Sequence, residues 1–419
     1  VEPVEQPPSP AGRPGSERAN ERTNGAPKGA DSARWTRANL EAFARAVAAL
    51  RAEVASKVGA EDVAHMRKLE RWGRACTAVG YATAWMGPNP VSAYLISQGS
   101  TARWTIMMHH VAHRAFDNVA EAPERYSSKR FAEGARRLID WPDWILPEAW
   151  RHEHNVLHHY HTGEAEDPDL VEVNATDIRN AKLPLPLKYA AVAFYACTWK
   201  LTYYAPSTFL AYVRVRERRA GHEPPAYVRT ETYASAFNPL RPEGREFWAR
   251  CVAPYALYRF VAIPALFLPL GPLAATSVLI NSAAAEVLTN IHSFLVIAPN
   301  HAGDDLFRFE GRSGDKAEHY FRQVVGSANF GTGDDVGDFL QGYLNYQIEH
   351  HLWPDLPPLR YRELQPRVKA LCEEHGIPYV QEGIFRRVAR LVNIFVGKTS
   401  MARMPSRRED AAPAAEVSA

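Results

Sequence analysis

Ten of the sixteen histidines fall in three short stretches, and no other feature restricts the fold as tightly. The first reads His109-His110-Val111-Ala112-His113. The second, from Trp150 to His161, holds His152, His154, His158, His159 and His161. The third is Gln347-Ile348-Glu349-His350-His351-Leu352-Trp353-Pro354. On a helix, residues three or four apart share a face, so His109 or His110 with His113, and His154 with His158, can meet one cation. His159 lies one step round, and His161, three beyond His158, is admitted by the same geometry. Gln347, His350 and His351 also share a face, and Pro354 ends that turn. Solvated loops favour Lys and Glu over dense imidazole, and buried imidazoles need a partner for every ring nitrogen. Neutral imidazole is the commonest transition-metal ligand, so the pattern points to a metal centre.

The apolar runs place these clusters. Ala75 to Met86 and Val91 to Met108 flank Gly87-Pro88-Asn89-Pro90; Val252 to Leu270 and Leu273 to Ile297 flank Gly271-Pro272. Gly and Pro at each centre favour two helical hairpins over two long helices. A spanning helix needs roughly 20 mostly apolar residues, and Arg103, Arg259 and Glu286 interrupt these runs. Mean hydropathy is −0.33, diluted by polar tails and loops. Leu183 to Val213 is also apolar but contains Lys188 and Lys200. Clusters on either side of it that share one site must be separated by an even number of crossings. This segment is therefore expected to lie in the interface with its lysines reaching water. Nearly all Arg and Lys then fall on the histidine side, which makes that side cytoplasmic.

The expected fold is an all-α integral membrane protein. Two transmembrane hairpins, about four spanning helices, carry an interfacial helix and a helical cytosolic cap that holds the metal site. Residues 1–35, rich in Pro, Gly, Ala, Arg and Glu, are expected to be a disordered tail rather than a signal peptide. Residues 36–72 read as an amphipathic helix on water or a membrane surface, from Leu40, Phe43, Ala44, Val47 and Leu50. Residues 73–397 form the main domain and 398–419 a second disordered tail. A net charge of +2 without a basic, aromatic-laced stripe gives no nucleic-acid partner. Cys76, Cys197, Cys251 and Cys372 make no CxxC pair, so they define neither a disulfide framework nor a thiolate site.

His301 follows the last apolar run and joins the candidate ligands; His292, near the end of that run, is a weaker one. One tetrahedral zinc takes at most four protein ligands, so this many imidazoles suggest two metals. With no thiolates, iron fits better than structural zinc, and copper is compatible with the same donors. Asp117, Glu153, Asp167, Asp169, Asp304 and Glu349 are placed to hydrogen-bond the far ring nitrogens.

The order HxxxH, HxxxHH and QxxHH at the ends of two hairpins resembles the membrane-bound fatty acid desaturases, from about Ala75 to Tyr379. The most specific parts are His154 to His159 followed by Asp167-Pro168-Asp169-Leu170, and Gln347 to Pro354. The resemblance implies a non-haem diiron centre with His109, His113, His154, His158, His159, His350 and His351 as ligands, and His301 as an additional one. It leaves His110, His161, His292, Gln347, Asp167 and Asp169 as extra or supporting groups, with no catalytic side chain beyond the metal centre. It departs from the usual pattern in His110 after His109 and in the extra His161. No histidine precedes a proline, so the His-Pro-Gly-Gly mark of a fused haem domain is missing from this sequence. Electrons are therefore expected from a separate donor such as ferredoxin or cytochrome b5.

The implied reaction is oxygen-dependent desaturation of an acyl chain carried on CoA, on a carrier protein or in a membrane lipid. An unactivated methylene offers no acidic proton and no leaving group, so its oxidation must belong to a metal–oxygen unit. An apolar tunnel should position the chain, with Trp85, Tyr94 and Trp104 as candidate lining. The alternative is a lipid or fatty acyl hydroxylase using the same metal site. A zinc hydrolase fits less well: Val156 stands where His-x-His-x-Asp-His needs Asp, and no His-Glu-x-x-His occurs. A membrane metal carrier would want its ligands inside the spanning helices.

Overall fold

The computed structural model describes residues 35–223 and 233–405; the expected N-terminal tail up to residue 34 and residues 406–419 lie outside the described residues. The protein is predominantly helical, with two short parallel strand pairs, Phe307–Phe309 with Ala402–Met404 and Ala328–Asn329 with Val380–Gln381. The first pair corrects the expected C-terminal tail, because ordered chain continues past 398 to the strand at Ala402–Met404.

The first hairpin joins Ala60–Ala84 to Pro90–Ala102, and the latter continues through a π-helical turn, Arg103–Met108, into His109–Ala112. Asn89 starts the second arm: its side chain accepts from Ser92 N at 2.7 Å, with Pro90 in the first turn. Small residues let the arms close. A Cβ on Gly99 would stand 2.0 Å from Thr77 Oγ1, and one on Gly80 2.7 Å from Ile96. The second hairpin consists of Pro242–Leu270 and Pro272–His301, joined at Gly271 with φ +105°. These two helices are long and apolar enough to cross a membrane. The expected four are thus met by two on length and composition, because the Ala60–Ala84 arm spends its first half on charged residues such as Arg67, Lys68, Glu70 and Arg71. Polar bonds zip the hairpins together. Asn281 donates to Ala84 O and Gly87 O at 2.9 and 3.0 Å, and Thr289 donates to Ser97 at 3.2 Å.

Two expectations are corrected by packing. The expected amphipathic helix is two helices, Arg37–Ala55 and Ala60–Ala84, parted at Gly59. The first buries Leu40, Phe43, Val47, Leu50 and Val54 within the cap, packing on Pro358–His375 and Lys316–Val325 rather than lying on a bilayer. The segment 183–213 forms Leu185–Trp199, a π-helical turn Lys200–Tyr204 and Ala205–Arg219. Its Lys200 does not reach water. It is 2% exposed, pairs with Asp143 at 2.5 Å and lies 4.3 Å from the Trp104 ring. A partner carboxylate and an aromatic face make burial cheaper than snorkelling there. Lys188 donates to Arg179 O at 2.5 Å.

Candidate metal centre

The three histidine clusters meet where the hairpins enter the cap. His109 and His113 stand at the end of the first hairpin, directly after its π-helical turn. A second π-helical turn, Glu153–His158, carries His154 and His158. Widening a helix to more than four residues per turn brings positions i, i+4 and i+5 toward one face, so His159 joins them, and such turns recur at functional sites. His350 and His351 come from Gln347–Leu352, and His301 ends the last apolar helix. All eight are buried.

Their nitrogens form two groups. His109, His113, His154, His159 and His350 each offer an atom within 4.8 Å of the others, and so do His158, His301 and His351. In the larger group, Nε2 atoms face one another: His109–His350 at 2.9 Å, His154–His109 at 3.3 Å and His159–His154 at 3.3 Å. A proton on one Nε2 serves one such contact, so these three cannot all be hydrogen bonds. His113 Nε2 and His351 Nε2 are buried with no partner among the described residues. Inward-facing, unshared imidazole nitrogens are what a cation needs and what apolar packing would avoid. Burial first, then neighbouring imidazoles, pushes the pKa of His109, His113, His154, His159, His350 and His351 well down. These rings are therefore neutral and able to donate a lone pair. His158 differs: burial lowers its pKa, but Asp167 outweighs that and raises it.

Asp167 accepts from His158 Nδ1 at 2.9 Å and Gln323 Oε1 accepts from His351 Nδ1 at 2.8 Å. Gly326 O is 3.3 Å from His301 Nδ1, and Tyr361 Oη 3.2 Å from His350 Nδ1. Of the expected supporting groups, Asp167 thus reaches a ring directly. Asp169 lies with His154 and His158 and accepts from the Tyr203 hydroxyl at 3.2 Å. The Gln347 amide nitrogen is 2.9 Å from His301 Nε2. The others are engaged elsewhere: Asp117 with Ser128, Asp304 with Arg390, and Glu349 with Asn329 and Tyr379. Glu153 is buried and hydrogen-bonds no imidazole; burial, then Asp169 and Asp167, push its pKa well up, which favours the neutral acid.

Three sequence candidates stay outside both groups. His110 donates to Ile106 O at 2.8 Å, and His161 to Glu164 at 2.8 Å. His292 bridges Gln98 and Leu340 O at 3.0 and 2.6 Å. Sequence reasoning passed over Gln323 and Tyr361, whose partners lie 28 and 11 residues away with no helical spacing to signal them. It also missed the role of Trp150, whose ring stacks on His154 at 4.4 Å and 22°.

A cleft of about 780 Å³ opens beside His109, His154, His158 and His301. Its walls are apolar and aromatic: Trp104, Trp199 and Tyr204 on one side, Tyr195, Phe294 and Phe395 on another. Of the expected lining residues only Trp104 takes part, because Trp85 and Tyr94 point outward, 40% and 47% exposed. Such a site, concave and mostly apolar with few convergent polar groups, suits a slender apolar ligand.

Fold and site together define a helical protein with two apolar helices long enough to cross a membrane and a buried polyhistidine centre beside an apolar cleft. The fatty acid desaturase family model matches residues 83–383, and the chain belongs to that family. The NADPH-dependent stearoyl-CoA 9-desaturase of Mycobacterium tuberculosis is 26% identical over 371 residues, covering 83% of this chain and 77% of that protein. The acyl-lipid (8-3)-desaturase of Rebecca salina is 41% identical over 71 residues, 17% of this chain and 16% of that protein. Fatty acid desaturase 3 of Bos taurus is 55% identical over 42 residues, 10% of each. The protein is thus an oxidoreductase of lipid metabolism, and its relatives' names do not favour the hydroxylase alternative.

Proposed function

We propose that the protein is a membrane-bound, oxygen-dependent acyl desaturase whose two iron ions are held by His109, His113, His154, His158, His159, His301, His350 and His351. The single observation that carries this reading is the pair of buried histidine groups beside an apolar cleft. Five nitrogens and three, in two adjoining groups, exceed what one metal of this class takes and suit two. Bound there, the iron pair would supply oxygen-derived oxidising power strong enough to remove hydrogen from an unactivated methylene.

The chain's own residues supply the rest. Asp167, Gln323 and Gly326 O fix the tautomers of His158, His351 and His301, so that each ring presents Nε2 inward. The cleft's aromatic walls exclude water and hold the acyl chain extended, with one C–C bond against the histidine face. Trp104, Trp199 and Tyr204, with ring centroids 5.3–5.9 Å apart, form a rigid wall, so which bond faces the metals is set by how the chain lies along it.

In this reading both hairpins span the bilayer, giving four crossings, and the histidine centre lies on the cytoplasmic side. The excess of Arg and Lys in the cap supports that orientation. The acyl chain arrives on CoA, a carrier or a membrane lipid, and a separate protein such as ferredoxin or cytochrome b5 delivers the electrons. The test is the lipid profile, by mass spectrometry, of a host expressing the chain beside one expressing His350→Ala. A new double bond with the wild type that disappears with the variant is expected. A hydroxylated chain in place of the double bond would overturn the desaturase assignment.

A further inference from the structure

Two arginines that interrupt the apolar runs, Arg103 and Arg259, take no part in the histidine centre. Both line a second pocket of about 400 Å³ between the hairpins, which shares only Trp104 with the acyl cleft. Arg259 is 4% exposed, and its Nε and Nη2 are buried without a partner; Nη1 has only a long contact, 3.4 Å, to Ser100 Oγ. Among the described residues neither guanidinium pairs with a carboxylate. The hydroxyl-bearing residues Thr77, Tyr81, Ser100, Tyr255 and Tyr258 also line it. One carboxylate, Asp143, also reaches the pocket, but Lys200 holds it at 2.5 Å. The site therefore carries two guanidiniums with no carboxylate in contact, ringed by hydroxyl groups, with Glu286 acting on Arg259 from further off.

A guanidinium within a spanning bundle is costly unless an anion or water meets it, and it marks a functional site by default. Both arginines lie short of the cytosolic ends of their helices: Arg103 stands six residues before His109, and the pocket continues to Met108 and Pro142 at that level. Basic pockets between helices at this depth suit a lipid headgroup, and the planar fork of arginine matches phosphate oxygens. We propose that this pocket binds the phosphate of an anionic phospholipid from the cytosolic leaflet, clamping the two hairpins together at a site separate from the acyl cleft. Two guanidiniums against the one more distant carboxylate of Glu286 leave an excess of positive charge that calls for a headgroup of net negative charge; a zwitterionic one brings its own cation and leaves the charge unbalanced. The inference rests on both hairpins spanning the bilayer. Its readout is lipid-dependent stability, so it stands apart from whether the enzyme desaturates a given acyl chain.

The test uses the full chain purified in detergent, with thermal unfolding followed while phosphatidylglycerol, phosphatidylcholine or inorganic phosphate is added. Phosphatidylglycerol is expected to raise the wild-type midpoint by about 3 °C or more, with little effect from the other two. Arg103→Gln, at a half-buried position that should tolerate the change, is expected to lose most of that response. Ser100→Leu, which fills the pocket and keeps both guanidiniums, at the cost of the long Arg259–Ser100 contact, should lose it as well. An equal gain with phosphatidylcholine would overturn the charge argument, and an equal gain with inorganic phosphate would assign the pocket to a free anion. A full response in both variants would place the lipid elsewhere.

Discussion

The two histidine groups are held in different ways. In the group of three, every ring has an outward Nδ1 contact: Asp167 at 2.9 Å for His158, Gln323 at 2.8 Å for His351 and Gly326 O at 3.3 Å for His301. In the group of five, His154 and His159 have no Nδ1 partner among the described residues, and His350 has only Tyr361 at 3.2 Å. His154 is instead fixed by its stack on Trp150 and by crowding from neighbouring imidazoles. A hydrogen bond at Nδ1 sets the tautomer before a metal arrives and raises the basicity of Nε2. Packing sets the position of a ring but leaves its proton to the metal. The smaller group is thus chemically prepared, and the larger one relies on having donors to spare.

The largest effect should come from removing one donor from each group. His351→Ala leaves its group with two nitrogens, too few to hold a metal tightly, whereas His113→Ala leaves the other with four. We expect His351→Ala to lose about half of the bound iron, measured by plasma emission spectroscopy, together with all desaturation. His113→Ala should keep most of its iron while losing activity less completely. Equal losses in the two variants would mean that the groups do not act as separate sites.

A smaller effect should follow from removing support while leaving every donor in place. Asp167→Asn keeps the shape of the side chain but takes the charge from behind His158. A loss of about 10–100-fold in activity is expected, with the fold intact by circular dichroism. Trp150→Phe keeps an aromatic shelf under His154 and should cost less than Asp167→Asn. If it costs more, packing rather than hydrogen bonding governs both groups.

The clustering of the histidines was legible because their positions follow from local periodicity. His109 with His113, His154 with His158, and His350 next to His351 each need one helical turn and no knowledge of the fold. The supporting contacts were not legible, because they join distant segments. Gln323 reaches His351 from a helix whose own pattern predicts only an amphipathic face. The same limit explains Lys200. Local composition marked it as a charge needing water, but the π-helical turn Lys200–Tyr204 places it against Asp143, 57 residues earlier in the chain. The helix Arg37–Ala55 shows the complementary case, in which the apolar stripe was read correctly but nothing in it could say that its partner is Pro358–His375 rather than lipid.

The smallest expected effect belongs to His161, the histidine that helical spacing admits and the structure sets apart. It is 22% exposed in its side chain and donates to Glu164 at 2.8 Å, outside both groups. Glu164 does not depend on it. The same carboxylate takes Arg322 at 2.8 Å and Ser313 N at 2.8 Å, both of which persist when the imidazole is removed. His161→Ala should therefore cost less than about 1 kcal/mol of stability, the usual scale for one partly exposed hydrogen bond. Its iron content should be unchanged and its activity close to that of wild type. A loss as deep as that of Asp167→Asn would bring His161 into the ligand set, and it would mean that the stretch Glu153–His161 rearranges when metal binds.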